Sequence, residues 1–384
     1  MPLSLRRNKF TINYLSHVLA TSEHVNSSLM TSRARLHKFQ AQHHATRPVG
    51  VRAHELLQVL DKHLPAFFSQ KFSQVPPWTL TPPKIRLDLC EKKKADILPV
   101  EAVRSFFSLT SQFQDYTLVF TDGSKTRTGV GSALVSDTDC LSWTLSSLAT
   151  VYTAELYALY QAVLYCLHHS ARNFLLCSDS LSSLKSLENI FSLDPLVQLL
   201  LESLLEASNI GKKIVFVWIP GHVGIPGNEK ADAVANTATL STIISEPRVR
   251  PHDPKKFFHK IITEQWLHQW ISSDSKLVEI KRTVEAWRPP VTLTRREFSV
   301  LTRLRIGHTR LTSSYLFLRA GRPLCEVCNE ELTVKHLLLS CSKFQNFRNL
   351  ININDGLSSV LNNEAGAITS VLQFLKVSHL MYSV

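Results

Sequence analysis

At 384 residues the chain is too long for one small domain, and with 44% apolar and 19% charged residues it has enough apolar material for packed cores, which excludes disorder along its whole length. Lys and Arg number 43 against 31 Asp and Glu, a formal charge of +12, so a polyanionic partner is favoured over an acidic small substrate. The charge is uneven, at net +9 over residues 1–114, −5 over 115–240 and +8 over 241–384. Carboxylates gathered in the middle of a basic protein need a reason, and bound metal ions are one.

Helical patterning, basic and loosely amphipathic, opens the chain at residues 5–19 and again at 32–43. Residues 53–68 repeat apolar side chains at helical spacing through Leu56, Leu57, Val59, Leu60 and Leu64, which predicts a third helix. From Val75 to Lys84 the prolines remove donors and fix φ, so this stretch reads as the start of a linker over residues 75–114. Short β runs follow at 116–121, closed by a turn signal at Asp122-Gly123-Ser124, then at 129–136 and more weakly at 140–145. A helix is predicted over 152–167, a buried-type strand over 174–177, helices over 181–191 and 195–207, and a strand over 213–219. After a Gly- and Pro-rich loop, Asn228 is the expected N-cap of a helix reaching Thr239. Three strands, then helix, strand, helices, strand and helix predict an α/β fold with a mixed five-stranded sheet flanked by helices.

Seven cysteines are an odd number, and Arg6, Arg7 and Lys9 are followed by no apolar run of leader type. Reduced thiols in an intracellular protein are therefore expected, with cytoplasm and nucleus both consistent. The longest aliphatic stretch, residues 196–205, is broken by Gln198, Glu202 and Ser203 and falls far short of the roughly 20 residues of a membrane span, so no membrane partner is expected.

Four carboxylates mark the acidic centre. Asp122 and Asp179 each close a predicted strand, Glu155 sits in the first helix after the β runs, and Asp232 lies on the helix that ends the region. Carboxylates at the carboxyl ends of strands point into the crevice where open α/β sheets place their ligands. Held together by two divalent ions roughly 3.5–4 Å apart, such groups would stabilise the attacking and leaving oxygens of an in-line displacement at phosphorus. An oxygen-only ligand set favours Mg²⁺ or Mn²⁺ over zinc. His222 lies in a loop with Gly221, Gly224 and Gly227, whose freedom would let the imidazole approach and leave the site; its ordinary pKa suits proton transfer.

The order Thr121-Asp122-Gly123-Ser124, Ala154-Glu155-Leu156, Ser178-Asp179-Ser180 and Gly221-His222-Val223-Gly224 to Gly227-Asn228-Glu229-Lys230-Ala231-Asp232 resembles type 1 ribonuclease H. The resemblance covers residues 115–240 and implies a ribonuclease H-like fold and endonucleolytic cleavage of the RNA strand of RNA–DNA hybrids by two Mg²⁺ ions, leaving 5′-phosphomonoesters. It carries the four metal-binding carboxylates onto Asp122, Glu155, Asp179 and Asp232 and the mobile histidine onto His222. Few basic residues lie between Asp179 and His222, so the basic flanks are expected to grip the hybrid.

Near the C-terminus, Cys325, Cys328, His336 and Cys341 form a Cys-Cys-His-Cys cluster suited to a closed, structural Zn²⁺ site. Its spacing resembles a zinc knuckle with a longer middle gap. Upstream, Arg295, Arg296, Arg303, Arg305 and Arg310 interleave with aromatics and are candidate nucleic-acid contacts. The whole resembles the C-terminal part of a Jockey-like non-LTR retrotransposon polyprotein, with the reverse transcriptase absent because no Tyr-x-Asp-Asp motif occurs. That resemblance implies a basic helical remnant at 1–74, a linker at 75–114, the ribonuclease H domain at 115–240, a basic helical region at 241–324, a zinc-knuckle-like module at 325–341 and a tail at 342–384. A catalytically silent nucleic-acid-binding remnant is the alternative function.

Overall fold

The computed structural model describes residues 1–21, 48–60, 64–69, 75–90, 98–351 and 356–384. The helix expected at 32–43 lies outside the described residues. The chain forms two compact units, one of residues 6–259 and one of residues 260–384 with the first five residues. No described helix is long and apolar enough to cross a membrane.

In the first unit, α1 (Leu3–Ala20) and α2 (Val49–Leu60) meet through Leu15, Val18, Ala53 and Leu57. The predicted third helix ends at Leu60 rather than at residue 68. Pro65 cannot continue a helix, and the chain after it forms β1 (Ala66–Phe67). Residues 75–114, expected to be a linker, supply the three-residue strand β2 (Lys84–Arg86) and α3 (Pro99–Thr110), whose Pro99 occupies the first turn where no donor is lost.

The remaining elements follow in the predicted order: β3 (Thr117–Lys125), β4 (Val130–Ser136), β5 (Cys140–Leu145), α4 (Val151–His168), β6 (Asn173–Ser178), α5 (Leu181–Ser186), α6 (Pro195–Asn209), β7 (Lys213–Trp218) and α7 (Pro226–Ala238). The sheet has six strands, not five, in the order β2-β7-β6-β3-β4-β5. β2, β7, β6 and β3 run parallel, and β4 runs antiparallel to both its neighbours. The sixth strand was unreadable because β2 is short and follows prolines that suggested an unpaired chain.

Asp122-Gly123-Ser124 is not a turn. β3 continues through it, with Asp122 opposite Ala133 and Lys125 opposite Val130. α7 begins at Pro226, three residues before the expected Asn228 cap would allow, because Ile225 and Pro226 set the entry. α5 stops at Ser186, well short of residue 191.

Period-two alternation divides the sheet's side chains between two cores. Val119, Phe174, Leu176 and Phe216 face α4 and α6, meeting Leu156, Leu159, Leu196 and Leu200. Phe120, Leu175, Cys177, Val215 and Val217 face the other way, onto Ala102 and Phe106 of α3 and Ala231 of α7. Two-sided burial is what a parallel sheet requires, and it explains the nearly continuous apolar runs of β6 and β7. After α7 the chain adds β8 (Arg248–Val249), which pairs in parallel with β1. Phe68 and Val249 are both fully buried in the core beside α4. The first unit therefore extends on both sides of the region predicted to be the domain.

Helix α8 (Lys255–Ile271) leads into the second unit. There α9 (Leu277–Ile280), α10 (Arg295–Ile306), α11 (Arg310–Ser313), α12 (Tyr315–Leu318), α13 (Gln345–Ile351), α14 (Leu357–Val360) and α15 (Ala365–Val377) follow in chain order. α10 opens with a capping box between Thr294 and Glu297 and closes on Gly307 at φ 80°. One core gathers Val300, Leu301 and Leu304 with Cys325, Cys341, Leu337, Phe344, Leu372 and Phe374. The expected separate module at 325–341 and tail at 342–384 are thus parts of one packed body.

Candidate active site and metal centre

Asp122 stands near the end of β3, Glu155 on the second turn of α4, and Asp179 directly after β6. Each offers a carboxylate oxygen within 4.8 Å of the others. β3 and β6 are adjacent and parallel, with Thr121 paired to Ser178, so their carboxyl ends bring Asp122 and Asp179 side by side. Glu155 arrives from above the sheet because α4 lies close on β3. A Cβ at Gly123 would come within 2.3 Å of the Glu155 amide nitrogen, so only glycine permits that approach. The indole of Trp218 donates to the Asp179 carbonyl at 3.0 Å and steadies the third carboxylate's backbone.

The electrostatics are those of a site that awaits positive charge. Asp122 and Glu155 are buried. Burial, then the negative charges of Asp179 and Asp232, push Asp122 up to about 7. Burial, then Asp122 and Asp179, hold Glu155 well above the usual carboxylate range. One Glu155 oxygen, Oε2, is buried without a hydrogen-bond partner. An orphaned acceptor among mutually repelling carboxylates fits a hard divalent cation, which would satisfy the oxygen and remove the repulsion.

Asp232 lies outside the 4.8 Å group. Its Oδ1 accepts from Asn236 Nδ2 at 2.9 Å, and Asn236 Oδ1 in turn accepts from Ser124 Oγ at 2.5 Å. Asn236 was not read from the sequence, although its place one helical turn after Asp232 was a usable signal.

His222 is exposed and adopts φ 59°, a left-handed conformation that histidine tolerates better than most residues. Its loop is anchored just after it, because Val223 and Ile225 are buried in the core beside α7 and the Gly224 N–H donates to Glu229 Oε1. A Cβ at Gly221 would sit 2.1 Å from Asp179 Oδ2. That glycine therefore makes room for a carboxylate instead of loosening the loop.

In the second unit, the ligand atoms of Cys325, Cys328, His336 and Cys341 lie within 4.8 Å of one another. Cys325 Sγ and Cys341 Sγ are 3.7 Å apart, too far for a disulfide and close to the edge of a tetrahedron built on Zn–S bonds of about 2.3 Å. His336 is buried, its Nδ1 engages Glu330 Oε2 at 3.0 Å, and its Nε2 has no partner. Hydrogen bonds from Ser342 hold the Cys328 thiol below its ordinary pKa, while burial pushes Cys341 up to about 11. Four soft or borderline donors, one an orphaned buried nitrogen, fit a structural zinc ion.

The five candidate nucleic-acid arginines are not alike. Arg305 donates to the carbonyls of Leu361 and Asn362 and lies over the Trp287 ring, and burial lowers its pKa to about 10. Arg303 donates to the Val384 carbonyl, and Arg296 stacks 3.7 Å from the centre of Tyr382. These contacts join α10 to the C-terminal residues. Arg305 is half-buried, whereas Arg295, Arg296, Arg303 and Arg310 are exposed.

Residues 114–239 match the family model of RNase H, and this stretch of the chain, with its mixed sheet and converging carboxylates, is an RNase H domain. No curated protein matches the chain.

Proposed function

We propose that the protein hydrolyses the RNA strand of RNA–DNA hybrids, with divalent metal held by Asp122, Glu155 and Asp179 and completed by Asp232. The convergence of three carboxylates in an RNase H domain carries this reading. Bound Mg²⁺ or Mn²⁺ would supply Lewis acidity toward the scissile phosphate and the attacking water. The chain's own part is to hold Asp122 and Glu155 in a buried setting where their charge is costly until a cation arrives. His222, exposed at the rim on an anchored loop, is suited to pass a proton to the leaving oxygen.

The retrotransposon reading rests on the combination of this domain with the Cys-Cys-His-Cys cluster and the basic flanks. Zn²⁺ at Cys325, Cys328, His336 and Cys341 would act in folding, since four protein donors leave no open position for chemistry. The test is incubation of the purified full chain with a labelled hybrid, duplex DNA and single-stranded RNA, with and without Mg²⁺. Metal-dependent loss of the hybrid's RNA strand alone is expected. Cleavage of duplex DNA, or hybrid binding with no cleavage under Mg²⁺ and Mn²⁺, would contradict the proposal.

A further inference from the structure

Beyond the stretch that matches the RNase H family, a buried charged network reaches back to the helix that carries Glu155. Arg250 and Asp253 are both buried, at 7% and 4% exposure. The Arg250 guanidinium contacts Asp253 Oδ1 at 3.0 Å and Asp194 Oδ2 at 2.7 Å, donates through Nε to Thr153 Oγ1 at 2.8 Å, and lies 4.4 Å from the centre of the Tyr152 ring. Asp253 accepts from the Thr150 hydroxyl at 2.9 Å and from the Thr153 hydroxyl at 2.7 Å, and from the Arg250 N–H at 2.9 Å.

Thr150 is the N-cap of α4 and Thr153 lies in its first turn, two residues before Glu155; Asp194 is the N-cap of α6. One side chain thus ties together the starts of both helices on that face of the sheet. Two carboxylates against one guanidinium leave negative charge at these helix N-termini, where it is favourable. The sheet fixes α4 from below through the close approach at Gly123, and the Arg250–Asp253 pair fixes its leading end. The pair is itself held in register by β8, which precedes it and pairs with β1.

We infer that Arg250 and Asp253 are positioning residues for the metal site, setting the height of Glu155 over Asp122 and Asp179 from outside the family-matched stretch. This rests on the metal-binding reading above. A guanidinium bridging two carboxylates and a hydroxyl in charge-assisted bonds has one low-energy arrangement, so it fixes the helix along its axis as well as against the sheet. Loss of that constraint would let Glu155 drift from the other two carboxylates, and metal affinity is sensitive to such displacement.

The experiment is Mn²⁺ binding to the full chain by titration calorimetry, independent of turnover, for wild type, Arg250→Leu, Arg250→Lys and Thr153→Val. Thr153→Val keeps the ion pair and the side-chain volume and cuts the bonds of the Thr153 hydroxyl to Arg250 and Asp253, leaving those of Thr150, so it serves where Arg250→Leu fails to fold. The expected result is Mn²⁺ binding weakened about tenfold in Arg250→Leu and at least threefold in Thr153→Val, with Arg250→Lys between wild type and Arg250→Leu. Hybrid cleavage should show the same shift in the metal concentration at half-maximal rate, with KM for hybrid unchanged. Wild-type Mn²⁺ affinity in a folded Thr153→Val protein would overturn the inference and leave the metal site standing. Absence of Mn²⁺ binding in wild type would overturn the metal-binding reading and the inference with it.

Discussion

The three clustered carboxylates explain one another's placement and set the pH behaviour of the metal-free protein. Asp122 has a folded pKa of about 7, raised from an ordinary value near 3.8. In that interval the native state binds the proton that the unfolded chain has released, so stability is highest below the unfolded pKa and falls as pH rises toward 7. In EDTA, the melting temperature of the first unit should be higher at pH 5 than at pH 8. Saturating Mg²⁺ should remove most of the difference, and Asp122→Asn should reduce it without metal, with buried Glu155 keeping the remainder. A metal-free melting temperature that rises over this range in wild type but not in Asp122→Asn would contradict the assignment. The carboxylates were readable because strand ends and a helix carried them in a recognisable order. Spacing could not show that Arg305 faces the carbonyls of Leu361 and Asn362, because a sequence pattern does not say what a guanidinium meets.

Short elements from the flanks complete the sheet and the core. Phe68, just past β1, is fully buried, donates its N–H to the Val249 carbonyl at 2.9 Å, and packs on Tyr157 two residues beyond Glu155. Phe68→Ala should cost about 3–5 kcal/mol, the range for emptying a buried aromatic site. For a unit of this size that is a melting-temperature loss on the order of 10 °C. A loss below about 2 °C would mean that the slot is not a closed part of the core. Pro65 was a readable signal against helix at residue 68, but the pairing of β1 with β8 joins residues too distant in sequence for any local pattern to reveal. The same holds for Asp122-Gly123-Ser124, where a turn composition is overridden by ladder pairing with β4.

At the scale of the molecule, two bodies are held by different means. The first rests on a two-sided sheet. The second wraps helices around the cluster of Cys325, Cys328, His336 and Cys341, with Cys325 and Cys341 inside its core. Stripping zinc with a strong chelator at neutral pH should therefore melt residues 260–384 while residues 6–259 keep their fold, because metal binding free energy is folding free energy at such a site. Limited proteolysis after chelation is expected to remove the second unit and leave the first. Equal resistance of both units would contradict a structural role for zinc at this cluster.

In the proposed function the carboxylates of the first unit hold the metal with which RNA is cut. The most direct measurement is the Mg²⁺-dependent rate of RNA-strand loss from a labelled hybrid, for wild type beside Asp122→Asn. Cleavage by wild type is expected, with a reduction of roughly 10³-fold or more in the variant, as follows when several kcal/mol of metal-dependent stabilisation are lost, and with hybrid binding retained. Equal rates in the two proteins would contradict it.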